Sequence, residues 1–202
     1  MMRRRFLIGA CALIAIMMSA CSGAAAADPA AVIANLGNQA LEMLGKNVDP
    51  NQRVARFRQL FTDDFDVPGI ARFVLGRYWN IATEPQQQEF VKLLTNYIAL
   101  AYSNRLAEYS GESLQVTGTR PAPDGSVVSS KIIRPNGAPP AQVDWLLTQH
   151  DSAYKISDVI VEGVSMAVTQ RSEFASVIQR NGGQVQGLIT ALRQKTEAAG
   201  LH

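Results

Sequence analysis

The side chains able to do chemistry in this chain are few, and their spacing is wrong for most of the chemistry they could do. The two histidines, His150 and the final His202, belong to no pair at metal-ligand spacing. His150-Asp151-Ser152 has the composition of a hydrolytic triad, but three consecutive residues cannot adopt triad geometry, and the run reads as a polar turn. A phosphate-cradling glycine loop, a zinc motif and a nucleophile elbow are all missing. The adjacent carboxylates Asp63 and Asp64 fit a solvated helix end. That leaves Asp144 and Glu162 as general-base candidates for a small α+β envelope enzyme acting on an apolar substrate, which would need the acid buried in a cavity with a raised pKa. Polar neighbours make a surface role the simpler account of Glu162.

Thiol chemistry is bounded by where the cysteines fall. Cys11 and Cys21 both lie within residues 1–27, which read as a secretory signal peptide: Arg3-Arg4-Arg5, an apolar stretch from Phe6 to Met18, and small residues at Ala25 and Ala27 before Asp28. The apolar stretch is shorter than the roughly 20 residues that span a bilayer. Arg3 to Leu7 also fits a twin-arginine export signal, although no Ser or Thr precedes the pair, which favours ordinary secretion. Met18-Ser19-Ala20-Cys21 is similar to a lipoprotein cleavage box, so a lipid anchor at Cys21 stands as the alternative to its removal. Cleavage after Ala27 takes away three arginines and leaves 16 basic against 17 acidic residues, a net charge of −1. No nucleic-acid partner is expected from such a balance.

The remaining residues, 28–202, read as one α+β domain. Asp28-Pro29 and Asp49-Pro50 are helix-opening pairs, followed by the apolar stripes Ile33, Leu36, Ala40, Leu41, Leu44 and Val54, Phe57, Leu60, Phe61, Phe65. A short helix is expected over Pro68–Leu75, stopped at Gly76. Thr83-Glu84-Pro85-Gln86 is a capping box opening the longest helix, whose apolar face carries Phe90, Leu93, Leu94, Tyr97, Ile98, Ala101 and Tyr102 and which closes near Tyr109 and Gly111. Past Gly111 the period falls to two. Strands are expected at 114–119, 127–134, 142–147 and 154–161, with turns at 121–125, 135–140 and 150–152. Short connections between four successive strands predict an antiparallel meander. Ser165 then stands as N-cap of a helix bearing Met166, Val168 and Phe174, and Gly182-Gly183 separates it from a last helix.

Aromatic and aliphatic residues outnumber catalytic ones, which alone describes an exported α+β domain with a large interior. A run of residues is more telling. Asp158-Val159-Ile160-Val161-Glu162-Gly163-Val164-Ser165 with Arg171 and Phe174, Gly76-Arg77-Tyr78-Trp79 with Ala82-Thr83, Tyr154-Lys155-Ile156, and Gly182-Gly183 resemble, in order, the signature of the periplasmic lipid-shuttle family of the Mla pathway, also called the toluene-tolerance family. Where that family commonly has Tyr before Arg171 this chain has Gln170, and that variant looks more like its hopanoid-cluster (HpnM-like) branch.

The resemblance implies a four-stranded twisted antiparallel sheet wrapped by N- and C-terminal helices around an apolar cavity. It implies a periplasmic carrier without cofactor, metal or enzymatic activity, holding a phospholipid or hopanoid-type lipid. Its partners would be an inner-membrane lipid-transport complex and an outer-membrane lipoprotein complex. The residues expected at the cavity are Phe73, Tyr78 and Trp79 before the long helix, and Phe90, Leu94 and Tyr97 on it. The sheet is expected to add Val128, Ile132, Val143, Trp145, Leu147, Ile156 and Val161, and the following segment Val164, Met166 and Phe174. Arg171 is expected either to meet a lipid phosphate at the mouth or to form a structural salt bridge.

Overall fold

Capping chemistry starts the helices where the polar residues sit. Asp28 accepts from the Ala30 N–H at 3.0 Å ahead of α1 (Pro29–Met43), and Asp49 accepts from Asn51 and Gln52 ahead of α2 (Pro50–Asp64). Asp66 caps α3 (Val67–Leu75), which ends at Gly76 in the left-handed region, with φ 56°. A 3-10 turn (Gly76–Asn80) leads to α4 (Glu84–Ala107). Its capping box is reciprocal: Gln86 donates to Thr83 Oγ1 at 3.4 Å and Thr83 donates to Gln86 Oε1 at 3.0 Å. The structure, a computed structural model, describes residues 28–43, 48–107, 111–135, 137–150 and 153–201. The expected signal peptide with Cys11 and Cys21, and Leu44, Tyr109, Asn136, Asp151, Ser152 and His202, lie outside the described residues.

The sheet has five antiparallel strands in chain order, not the four expected: β1 (Ser113–Ala122), β2 (Gly125–Ile133), β3 (Ala141–His150), β4 (Ala153–Val161) and β5 (Val164–Ser165). The fifth arises because Glu162 and Gly163 both take positive φ, 50° and 80°, the twist that a two-residue hairpin needs. Val164 and Ser165 then pair with Val161 and Ile160 before α5 (Met166–Arg180) begins. Ser165 still caps α5, accepting from the Val168 N–H at 3.0 Å. The strands also run further than periodicity indicated. Pro121 is tolerated inside β1 because β1 is an edge strand, and His150, expected in a turn, closes β3 opposite Ala153.

Two bulges bend the sheet. Thr117 is the extra residue in β1 and Ser157 in β4, and their hydroxyls donate to the Ser129 and Leu146 carbonyls at 3.1 and 3.2 Å. The bulge at Ser157 changes the phase of β4, so Ile156 and Val161, five residues apart and of opposite parity, both serve the inner face.

Two apolar cores result. One joins α3, α4, α5 and α6 (Val185–Glu197) around Phe90, Leu94, Phe174, Ile178 and Ile189, with Phe90 meeting Phe174 edge-on at 5.7 Å. An Arg193–Glu89 ion pair ties α6 to α4. The other joins α1 and α2 to the sheet around Ile33, Leu36, Leu60, Val128, Leu147 and Ile156. The Asp66 N–H donates to the Ile156 carbonyl at 2.9 Å, which stitches the end of α2 to β4. Phe90 is fully buried in the first core. Truncating it to alanine is expected to cost about 3–5 kcal/mol, read as a lower denaturant midpoint at unchanged m-value.

Candidate functional site

A cavity of about 800 Å3 lies between the two cores. Its wall is aliphatic and aromatic on nearly every side. Leu36 and Ala40 come from α1, Phe57, Leu60 and Phe61 from α2, Ile70 and Val74 from α3, and Leu94, Ile98 and Tyr102 from α4. Phe65, Leu114, Ile132, Val143, Trp145, Val159 and Val161 close it from the sheet side, with Met166 and Ala167 at the head of α5. Gly37 also lines it: a Cβ there would sit 2.9 Å from Leu114 Cδ2, so α1 approaches β1 closely because that position has no side chain.

The polar groups of the wall fall into two sets. At the junction of β4 and α5, Asp158 spends its carboxylate on the fold: Oδ1 accepts from the Val159 and Ala167 N–H groups at 2.8 and 3.0 Å, and Oδ2 accepts from the Ser165 hydroxyl at 2.5 Å. At the end of α4 and the adjoining sheet edge stand Arg105, Glu112, Ser113 and Arg134. Arg105 stacks over the Tyr102 ring at 5.3 Å, and Arg134 Nη1 donates to the Pro139 carbonyl at 3.2 Å. Both guanidiniums are exposed at the rim. Burial pushes the Tyr102 hydroxyl above its ordinary pKa despite the opposing Arg105 charge, and that O–H donates to Met166 Sδ at 3.8 Å. Tyr102 thus behaves as a neutral wall residue.

Of the residues expected at the cavity, Leu94, Ile132, Val143, Trp145, Val161 and Met166 line it. Val128, Leu147 and Ile156 are buried in the sheet-side core beneath it. Phe90, Phe174 and Tyr78 belong to the helical core, with Trp79 and Tyr97 packed against that core. Phe73 and Val164 are exposed, at 42% and 53%. On α3 the reason is helical phase, since Ile70 and Val74 face the cavity and Phe73 faces away. Arg171 is not among the residues that line the cavity, and its guanidinium lies 5.2 Å over the Phe73 ring. The cations at the wall are Arg105 and Arg134, which no motif marked. Phe57, Phe61 and Tyr102 were readable as apolar stripes but not as cavity rather than core.

Neither acid considered as a base reaches this wall. Asp144 is on the opposite face of β3, where the Ser129 hydroxyl at 2.6 Å, aided by Arg120, holds its carboxyl below the usual range. Glu162 Oε1 accepts from the Gln142 N–H at 2.5 Å in the β4–β5 turn. Among the described residues there is no metal-ligating cluster and no helix long and apolar enough to cross a membrane.

The family model described as MlaC protein matches residues 33–194. Among curated proteins, the chain is 28% identical over 144 residues to the toluene tolerance protein ttg2D of Pseudomonas putida, a match covering 70% of this chain and 66% of that one. It is 25% identical over 125 residues to the intermembrane phospholipid transport system binding protein MlaC of Haemophilus influenzae, covering 60% of this chain and 58% of that one. The chain therefore matches less than two thirds of the length of either relative. A solved structure of a phospholipid-binding protein from Ralstonia solanacearum in complex with a phospholipid shares the fold, with a TM-score of 0.71 and 24% identity over 85% of this chain and 98% of that one.

The Trp145 ring in the wall is steadied by one bond, from its Nε1 to Ser130 Oγ at 2.8 Å, and Ser130 in turn donates to the Val143 carbonyl. Ser130 is buried. Ser130→Ala removes the indole's acceptor and is expected to destabilise by about 1–3 kcal/mol, with a change in tryptophan fluorescence reporting the freed ring.

Proposed function

The chain belongs to the MlaC protein family, and from that premise we propose that it is a periplasmic lipid carrier, exported by removal of residues 1–27, whose residues 28–202 hold the acyl chains of one lipid. The observation that carries this reading is the apolar cavity of about 800 Å3 with two exposed guanidiniums at its rim. Chemistry has little to work with there, because Asp158 is fully occupied by the fold. Burial has much to work with. Each methylene removed from water is worth about 0.8 kcal/mol, so roughly thirty exposed acyl methylenes would cost on the order of 25 kcal/mol in an aqueous compartment. A lipid leaving one bilayer for another regains that energy at both ends, so transfer is close to thermoneutral and its direction must come from partners. Those partners are an inner-membrane transport complex and an outer-membrane lipoprotein complex, in keeping with the intermembrane system named for the Haemophilus relative.

A phospholipid is the first choice of cargo because Arg105 and Arg134 offer charge-assisted donors to a phosphate, a role sequence reading had given to Arg171. A hopanoid-type lipid is the second reading, and Gln170 favours it. This residue, which stands where the family commonly has Tyr, lines the cavity.

Native mass spectrometry of the full chain purified gently from cells is expected to show a one-to-one adduct that extracts as a glycerophospholipid; lipid-free protein would overturn the carrier reading. Trp145→Asp, verified as folded by circular dichroism, is expected to lose the adduct. The double variant Arg105→Gln, Arg134→Gln is expected to retain less phospholipid. An adduct of a neutral polycyclic lipid that the double variant leaves unchanged would instead favour the hopanoid.

A further inference from the structure

A second recess, of about 280 Å3, lies between α3, the 3-10 turn and α5 and shares no wall residue with the cavity. Its two guanidiniums are held by aromatic rings instead of carboxylates. Arg77 lies 5.0 Å over the Tyr78 ring, and its Nη2 donates to the Tyr78 hydroxyl at 3.0 Å. Arg171 lies over Phe73. Neither makes an ion pair among the described residues. Gly76 leaves room for the Arg171 guanidinium: a Cβ there would fall 2.8 Å from Arg171 Nε, and its φ of 56° already favours glycine. Two guanidiniums and no carboxylate line the recess, which makes it electropositive, and the hydrogen bond from Arg77 draws the Tyr78 hydroxyl below its ordinary pKa. Its floor is apolar, made by Leu75 and Ala175.

Exposed apolar side chains stand beside Arg171. Phe73 touches Arg171, and Val168, three residues before Arg171 on the same helix, is 55% exposed. We propose that this recess is a docking site for a protein partner, which inserts an aspartate or glutamate carboxylate between Arg77 and Arg171 and covers Phe73 and Val168 with the apolar residues beside that acid. Guanidiniums laid on rings present a pre-set planar fork, the geometry that a carboxylate accepts with two bonds. Arginine with exposed aromatic surface is the composition of interface anchors. The concavity suits an inserted side chain, whereas attraction to a flat anionic bilayer is the work of a spread cluster of roughly four to eight basic residues. A free inorganic anion would leave Phe73 and Val168 uncovered.

The test is an amide-detected NMR titration of the full chain with four probes: the capped tripeptide Leu-Glu-Leu, its Leu-Gln-Leu counterpart, inorganic phosphate, and phosphatidylglycerol vesicles. The glutamate peptide alone is expected to shift the amides of Phe73, Arg77, Tyr78 and Arg171. Arg77→Gln and Arg171→Gln are each expected to weaken that binding at least about tenfold, while Arg77→Gln keeps its bound lipid, which separates this result from any failure of the carrier reading. Absence of shifts with the glutamate peptide, equal shifts with the glutamine peptide, phosphate binding as tight as the peptide, or vesicle binding that Arg77→Gln abolishes would each overturn the proposal. The wild-type titration decides the matter by itself if either variant fails to fold.

Discussion

The carboxylate of Asp158 holds the point at which sheet becomes helix, and the shape of the molecule depends on it. One side chain satisfies two backbone N–H groups and the hydroxyl of the α5 cap, which ties β4 to the first turn of α5. The bulge at Ser157 lies just before Asp158 and brings Val159 and Val161 to the inner face; without the extra residue, β4 would keep strict alternation from Ile156 and those two valines would face the other side. With it, α5 starts at the cavity wall, and Met166 and Ala167 are the first side chains it supplies there.

A sheet and a set of helices with this much apolar surface would ordinarily close on one another. Here they do so twice, in the helical core around Phe90 and Phe174 and in the sheet-side core around Val128 and Ile156, and a hollow remains between. Wall residues of such a hollow lack partner atoms on one side and forfeit the dispersion contacts that those in the two cores enjoy. A chain of methylenes laid between the cores would restore them, acting as the missing part of the interior. Trp145 shows how the wall is kept in shape meanwhile: its ring faces the hollow and its N–H is engaged by Ser130 behind it.

Three of the arginines share a pattern. Arg77, Arg105 and Arg171 all rest on aromatic rings instead of acids. A guanidinium stacked on a ring gives up little of its hydration at its outer edge and keeps donors for an incoming anion. The acids, by contrast, are committed: Asp158 to the helix cap, Glu162 to a hairpin, and Asp144 to Ser129 and Arg120. Free donors and engaged acceptors suit a surface that receives anions.

What the amino-acid sequence settled by itself was local. Asp49-Pro50, the Thr83 to Gln86 box and Ser165 start helices where their side chains can reach orphan N–H groups, and alternation placed the strands in meander order, because both signals are satisfied within a few residues. The tertiary structure decided the rest. Periodicity says that Phe90, Tyr97, Phe57 and Tyr102 each face something apolar; it carries no information about how far away the opposing wall stands. Phe90 therefore meets Phe174 in a filled core, while Phe57 and Tyr102, indistinguishable from it by pattern, line a hollow. The fifth strand has the same origin: it depends on the backbone turn at Glu162–Gly163, whose direction is set by what lies across from it in space.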